Sequence, residues 1–106
     1  MAKGKVDKSV INSAEKFIAE VKKHENVDAA FLFGSCAAGT NNENSDIDVA
    51  VVLCGIENEY LELLKLNKYT RGIDARIEPH PIKTEDYIAK KNPFINEILR
   101  TGIRIA

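Results

Sequence analysis

Hydrophobic positions recur with two different periods along the chain, and these periods predict which segments are helices and which are strands. After a basic start, apolar residues recur three to four positions apart, which is typical of a helix with one buried face. These residues are Val10, Ile11, Ala14, Phe17, Ile18 and Val21. Asp7 precedes them and is the predicted N-cap, and we expect the helix to end near His24–Asn26.

Two shorter apolar runs follow, and both predict strands. Ala29–Phe33 is aromatic-rich and too short for a helix, so we expect a strand that is buried on both faces. Ile47–Leu53 is the strongest strand pattern in the sequence, because β-branched residues dominate it. A helical turn at 36–39 and a polar loop at 40–45 separate the two runs. A connection of this length allows them to pair as adjacent antiparallel strands.

The middle of the chain predicts a helix over residues 57–69 and then a third strand. The residues that share one face of this helix are Tyr60, Leu63, Leu64 and Asn67, with Leu61 and Leu66 at its margins. From Ile73 onward apolar and polar residues alternate, which predicts a half-buried strand with Asp74, Arg76 and Glu78 on its polar face. The prolines that follow are expected to stop this strand or to confine its end to a sheet edge.

The C-terminal part predicts two helices and a short strand. Thr84–Lys91 has the pattern of a short helix with Thr84 as its N-cap. Pro93 is expected to open a last helix, which ends at Gly102. Residues 103–105 predict a final short strand.

The composition excludes several classes of protein. With 106 residues, 44% of them hydrophobic and 29% charged, the chain resembles an ordinary globular protein, and we predict one domain over residues 1–106. The formal net charge of −1 disfavours long nucleic acids as partners. Two cysteines without zinc-binding spacing predict free thiols in a reducing cytoplasm. The sequence has neither an apolar run of about 18 residues nor a signal-peptide pattern, so we expect no membrane span and no secretion.

Asp46 and Asp48 stand at the head of the second predicted strand, where their spacing puts both carboxylates on one face and Ile47 on the other. Three interpretations are open for such a pair. The carboxylates can simply be solvated at a strand entrance. A calcium loop is disfavoured, because it needs oxygen ligands at alternate loop positions, whereas the apolar Val49 follows at once. The third interpretation is a magnesium site for phosphoryl or nucleotidyl transfer, in which carboxylates bridge metal ions.

Gly34 and Ser35 close the first predicted strand and provide a place for a phosphate. Glycine lets the backbone approach a ligand closely, and the start of a helical turn points free N–H groups at an anion, with the Ser35 hydroxyl as an additional donor. A Gly-Ser pair alone carries no information. A Gly-Ser pair at a strand end, separated by ten residues from Asp-x-Asp at the next strand start, is far more specific.

Gly34-Ser35, ten further residues and Asp46-Ile47-Asp48 together resemble the signature of the DNA polymerase β-like nucleotidyltransferase superfamily. The resemblance is best to its minimal nucleotidyltransferases from bacteria and archaea, and it covers most of the chain. It implies an α+β fold with a mixed β-sheet flanked by helices, which pack mainly on one face of the sheet.

The resemblance also implies the roles of individual residues and the reaction. Gly34 and Ser35 would bind the triphosphate of a nucleotide, and Asp46 and Asp48 would ligate two Mg²⁺ ions. The implied enzyme moves a nucleoside monophosphate, AMP from ATP, to an acceptor hydroxyl and releases pyrophosphate.

The third carboxylate of the family lies on a following strand and serves as metal ligand and as base for the acceptor hydroxyl. Asp74 fits this role by position, and Glu78, on the same predicted face, is the alternative. The sequence departs from the family where many members read Gly-Ser-x-Ala-Arg-Gly, because Ala38 occupies the position of the arginine. Arg76 is expected either to replace that cation or to form an ion pair with a neighbouring carboxylate.

The partners also follow from the resemblance alone. Similar proteins often work as antitoxins beside HEPN-type ribonuclease toxins, with the toxin as acceptor, and a homo-oligomer is the other expected assembly. An alternative is a non-catalytic antitoxin that neutralises its partner by occlusion. Transfer to a small molecule such as an aminoglycoside is disfavoured, since a chain of 106 residues has no second domain to form an acceptor pocket.

Two further residues receive no chemical role from the sequence. His80 lies between two prolines, which favours a loop histidine that fixes a turn over a general base. Cys36 lies in the proposed phosphate turn, but no base is spaced to activate its thiol.

Overall fold

The computed structural model describes residues 6–106, which form five helices and four strands. In chain order these are α1 (Lys8–Lys22), β1 (Val27–Phe33), α2 (Ser35–Ala38), β2 (Ile47–Leu53), α3 (Glu59–Tyr69), β3 (Ile77–Lys83), α4 (Thr84–Ala89), α5 (Pro93–Thr101) and β4 (Ile103–Arg104). Residues 1–5, which contribute to the prediction that no signal peptide is present, lie outside the described part. No helix within residues 6–106 is long and apolar enough to cross a membrane.

The strands form one mixed sheet in the order β3-β2-β1-β4. β1 pairs with β2 in antiparallel orientation, which confirms the predicted pairing of the two apolar runs. β3 lies parallel to β2, and α3 forms the crossover between them. β4 adds a short antiparallel edge on the other side of β1. The chain therefore has the predicted α+β fold with a mixed β-sheet.

Helix α1 confirms the prediction from periodicity. Asp7 caps it, since its carboxylate accepts a hydrogen bond of 2.8 Å from the backbone N–H of Ser9. The residues of α1 that are buried against the sheet are Val10, Ala14, Phe17, Ile18 and Val21. This face of the sheet carries the larger hydrophobic core, to which Leu66 of α3 also belongs.

The opposite face of the sheet is covered by α4 and α5. Phe31 and Val52 point to this side and pack with Ile95 and Ile98 of α5. Helices therefore lie on both faces, whereas the resemblance implied that they pack mainly on one. The physical reason is that β1 and β2 are apolar on both faces, so each face must be covered to exclude water.

The buried face of α3 differs from the predicted one. Leu66 is fully buried and Glu62 is 6% exposed, while Tyr60, Leu61 and Leu64 are 67%, 57% and 44% exposed. The predicted stripe is wrong because α3 has apolar residues on several sides, and periodicity alone does not select the side that faces the sheet. Tyr69 helps to select it, since its ring stacks on His24 just beyond α1 with 5.1 Å between centroids.

The third strand begins later than predicted. Residues 70–76 form turns, and β3 starts only at Ile77 and continues through both prolines to Lys83. The prolines are tolerated because β3 is an edge strand, so a backbone nitrogen that faces away from β2 needs no hydrogen. Consequently Asp74 and Glu78 do not share a strand.

The C-terminal elements confirm the predicted order but not every cap. Asn92 caps α5 through a bond of 3.0 Å from the N–H of Ile95, and Pro93 occupies the first turn, as predicted. The prediction that Thr84 caps α4 is wrong. Lys83 occupies the N-cap position, and the Thr84 hydroxyl instead donates to the carboxylate of Asp28.

Candidate functional site

The turn between β1 and α2 is built around Gly34. Its backbone has φ 75° and ψ −155°, a conformation that residues with a Cβ atom rarely adopt. A Cβ atom added at Gly34 would lie 2.6 Å from Oδ2 of Asp48. Only glycine therefore lets this turn lie directly against that carboxylate.

Asp46 and Asp48 flank the first residue of β2. Ile47 between them is fully buried in the core under α1. Asp48 is half-buried and points to the other face, whereas Asp46 is exposed just before the strand. The register of the antiparallel pair places Asp48 opposite Phe33, the residue before Gly34. The ends of β1 and β2 thus bring the predicted phosphate turn and an acidic side chain together.

Glu78 joins this edge from β3. The parallel register pairs Glu78 with Asp48, and His80 follows two residues later on the same side of β3. The His80 Nε2 atom lies 3.2 Å from Oδ1 of Asp48 and 3.6 Å from Oε1 of Glu78. Within residues 6–106, these are the only three His, Cys, Asp or Glu side chains with candidate ligand atoms all within 4.8 Å of one another. We name this set the strand-end group.

The strand-end group suits a divalent cation. Its two carboxylates make no ion pair with a lysine or arginine in the described part of the chain, so their negative charge is not balanced by a cationic side chain of that kind. Carboxylate oxygens are the ligands that Mg²⁺ and Mn²⁺ prefer, and imidazole nitrogen is accepted by transition metals. The two carboxylates therefore fit a divalent cation such as the sequence predicts, whereas Asp46, which is exposed just before β2, is not part of the strand-end group.

Asp74, the predicted third ligand, is not part of the strand-end group. Its carboxylate accepts bonds of 2.9 and 3.1 Å from the Arg76 guanidinium and one of 2.9 Å from the Ser13 hydroxyl. The hydrogen bonds from Arg76 lower the pKa of Asp74 to about 2. Of the two expectations for Arg76, the structure shows the ion pair.

A cavity of about 380 Å³ opens beside the Gly34 turn. Its lining is mostly apolar and consists of Phe33, Gly34, Ala38, Phe94, Glu97, Ile98 and Thr101. Ala38, at the position where many family members carry arginine, forms part of this wall. The cavity is continuous with the turn that the sequence assigns to phosphate binding.

Cys36 is buried below the turn, and its thiol donates to the backbone carbonyl of Asp46 over 3.3 Å. Burial raises the pKa of this thiol, which keeps it protonated. Both Cys36 and Cys54 are free thiols. Cys36 acts in the packing of α2 rather than as a nucleophile.

His80 is the site residue to which the sequence assigned no chemistry. It is in a strand rather than a loop, and its neighbourhood depends on the register between β2 and β3, which no local pattern reveals. The one available signal is the spacing Glu78-x-His80, which repeats the period of Asp46-x-Asp48 and puts both side chains on one face.

Comparisons with known proteins identify the family and similar folds. A family model described as "Polymerase beta, Nucleotidyltransferase" matches residues 15–106. The fold is similar to a candidate nucleotidyltransferase from Sulfolobus solfataricus, with 22% identity, a TM-score of 0.67, and coverage of 98% of this chain and 89% of that one. It is also similar to a chain of a mutant MntA–HpeT toxin–antitoxin, with 18% identity, a TM-score of 0.63, and coverage of 88% and 72%. No curated protein matches the sequence significantly.

Proposed function

Because the chain belongs to the polymerase β nucleotidyltransferase family, we propose that it transfers AMP from ATP to an acceptor hydroxyl and releases pyrophosphate. The observation that carries this proposal is that three features meet where the ends of neighbouring strands lie side by side. Gly34 lies against Asp48, Asp48 is paired in register with Glu78, and Asp46 precedes the same strand.

We assign the metal ligands to Asp46, Asp48 and Glu78. Glu78 replaces Asp74 in this assignment, because Asp74 is neutralised by Arg76 and lies outside the strand-end group. Bound Mg²⁺ ions would offset negative charge on the triphosphate and activate the acceptor oxygen. Glu78 is 55% exposed, so its carboxylate is also accessible to accept the proton of an acceptor hydroxyl.

The nucleotide is proposed to lie along the Gly34 turn. Ser35 begins α2, where its hydroxyl and nearby backbone N–H groups can donate to phosphate oxygens. The apolar cavity next to the turn would take the nucleoside, with Phe94 as an exposed aromatic surface for the base. Ala38 leaves this cavity without the cation that many family members have there, so phosphate binding depends more heavily on the metal.

The acceptor is proposed to be a protein partner. One of the similar structures is a toxin–antitoxin. The family resemblance makes a HEPN-type toxin the proposed partner for this chain. ATP and a toxin of this kind would both be met in the cytoplasm. A second copy of the chain is the other partner that we consider.

A transfer assay with the partner from the neighbouring gene tests the proposal. The chain is incubated with that partner, Mg²⁺ and ATP labelled at either the α- or the γ-phosphate. We expect label on the partner only from the α-position, since AMP carries that phosphorus and pyrophosphate leaves with the other two. Asp46→Ala and Asp48→Ala should abolish transfer, while Glu43→Gln, in the exposed loop before β2, should not. Transfer from the γ-position, or unchanged transfer by both alanine variants, would contradict the proposal.

Occlusion without catalysis is the second candidate function. Ala38 favours it, because a site without the usual cation near the phosphates holds a triphosphate less strongly. In the same assay this function would leave the partner unlabelled but inhibited, and the alanine variants would inhibit as well as the unmodified chain.

A further inference from the structure

His80 is the one member of the strand-end group that is not a carboxylate. Because side chains alternate along β3, Glu78 and His80 emerge on the same face and Pro79 and Pro81 on the other. Asp48 reaches that face from the neighbouring parallel strand. The imidazole is therefore built into the edge of the sheet beside the two acids.

The distances in the group lie slightly above those between adjacent ligands of one ion. Around an octahedral ion with metal–ligand distances near 2.1 Å, adjacent ligand atoms are about 3 Å apart. The Nε2 atom of His80 is 3.2 Å from Oδ1 of Asp48 and 3.6 Å from Oε1 of Glu78. All three candidate ligand atoms lie within 4.8 Å of one another.

Aromatic neighbours orient the imidazole. The ring of His80 packs edge-on against Phe33, with 4.9 Å between centroids and 66° between planes. Phe94 lies 6.0 Å away and contacts Phe33 as well. These contacts restrict the ring to an orientation in which Nε2 faces the two carboxylates. The His80 side chain remains 30% exposed, which leaves access for an ion.

We propose that the Nε2 atom of His80 is a direct ligand of the ion held by Asp48 and Glu78, and that this nitrogen shifts the preference of the site from Mg²⁺ toward Mn²⁺. Mg²⁺ binds oxygen almost exclusively, whereas imidazole nitrogen suits first-row transition metals. The inference rests on the metal site of the proposed function, but it concerns which atoms bind the ion and not the transfer reaction.

Electron spin echo spectroscopy of bound Mn²⁺ tests the ligation. The full chain, without nucleotide, is loaded with Mn²⁺ and the hyperfine coupling to ¹⁴N is recorded. We expect a directly coordinated imidazole nitrogen in the unmodified protein and its loss in His80→Gln. His24→Gln is the matched control, because His24 lies just beyond α1, beside Glu20 and Tyr69. That variant should keep the coupling.

Affinities measured by calorimetry for both ions complete the test. We expect His80→Gln to weaken Mn²⁺ binding about tenfold or more and Mg²⁺ binding less than about threefold, with thermal unfolding confirming that the variant is folded. No nitrogen coupling in the unmodified protein, including through failure to bind Mn²⁺, overturns the inference. Equal losses for the two ions overturn it as well.

The outcome is independent of the transfer assay. Nitrogen coupling in a chain that transfers no AMP would uphold the ligand assignment and contradict the proposed function. AMP transfer by a chain whose Mn²⁺ shows no nitrogen coupling would do the reverse.

Discussion

Glu78 in the strand-end group and Asp74 in its pair with Arg76 are four residues apart, yet their carboxylates are in opposite electrostatic situations. Asp74 receives three side-chain hydrogen bonds, from Arg76 and Ser13, and its pKa is lowered to about 2 mainly by those from Arg76. Glu78 lies opposite Asp48, and the one basic side chain within 4 Å of its carboxylate in the described chain is His80. The two carboxylates therefore differ in the compensation of their charge rather than in residue type, which is the basis for assigning Glu78 and not Asp74 to the proposed metal site.

The boundary between the two environments is set by the start of β3. The backbone N–H of Ile47 donates to the carbonyl of Arg76 over 2.9 Å, and ladder pairing with β2 begins at Ile77. Asp74 lies in the turn before Ile77, and its side chain contacts Ser13 on α1. Glu78 follows Ile77 and is carried to the open edge beside Asp48.

We expect the largest effect from matched amide substitutions of the two carboxylates, Glu78 and Asp74. Glu78→Gln should lower kcat/KM for AMP transfer by about 10² to 10³-fold, because it removes a charged metal ligand. Asp74→Asn should change it by less than about threefold at a temperature where both variants are folded. Mn²⁺ affinity, measured alongside, should fall only in Glu78→Gln. The opposite ranking would return Asp74 to the site.

Gly34→Ala is expected to disturb both the turn and the strand-end group. The positive φ of 75° should cost about 1 to 2 kcal/mol in free energy of unfolding, and the new Cβ should displace the Asp48 carboxylate. Gly55→Ala is the matched control, since Gly55 has φ 84° but no atom of the described chain lies within 4 Å of an added Cβ. Both variants should lose stability in urea unfolding, and only Gly34→Ala should lose Mn²⁺ affinity. Equal Mn²⁺ affinities would show that Asp48 is not constrained by the turn.

A smaller effect is expected from acid titration of the Asp74–Arg76 pair. The pKa of Asp74 is lowered to about 2 in the folded chain, against 3.8 for an ordinary aspartate. The pair therefore stabilises the fold above about pH 4, and this stabilisation is lost as the pH falls toward 2. Asp74→Asn should lower the free energy of unfolding by about 1 to 2 kcal/mol at pH 6 and by less near pH 2. A difference that does not depend on pH would contradict the assigned ionisation.

We expect the smallest effect from Glu62, a buried acid whose negative charge is not fully compensated. Burial, followed by the adjacent Glu25, raises the pKa of Glu62 to about 7, and its Oε2 atom has no hydrogen-bond partner among residues 6–106. The folded chain holds this proton more tightly than the unfolded chain does, so protonated Glu62 favours the folded state. This contribution to stability is fully present below about pH 4.5 and is lost as the pH rises through 7.

Substitution of Glu62 by glutamine removes this titration. Glu62→Gln should raise the free energy of unfolding by about 1 kcal/mol at pH 8 and have little effect at pH 4.5, as measured in urea. Glu59→Gln, an exposed change on the same helix, is the control. A variant that is less stable than the unmodified chain at pH 8 would show that Lys65, 3.6 Å from Glu62, already compensates the charge.

Much of the sheet centre could be predicted because its signals are local. The period of Val10–Val21, the cap at Asp7 and the two apolar runs each depend on residues a few positions apart, and all three are confirmed. The approach of Gly34 to Asp48 depends on the antiparallel pairing of β1 and β2, which the connection over residues 34–46 allowed without imposing it. The family resemblance rests on these same residues.

What only the tertiary structure decided depends on contacts between distant parts of the chain. The sequence by itself determined α1, the β1–β2 pair and the acidic strand head, because hydrophobic period and turn chemistry are properties of neighbouring residues. The face that α3 buries, the start of β3 and the place of His80 required the packing of α3 across the sheet, which sets the parallel register. A one-residue shift in that register would turn Glu78 and His80 away from Asp48, and no pattern within β3 alone excludes such a shift.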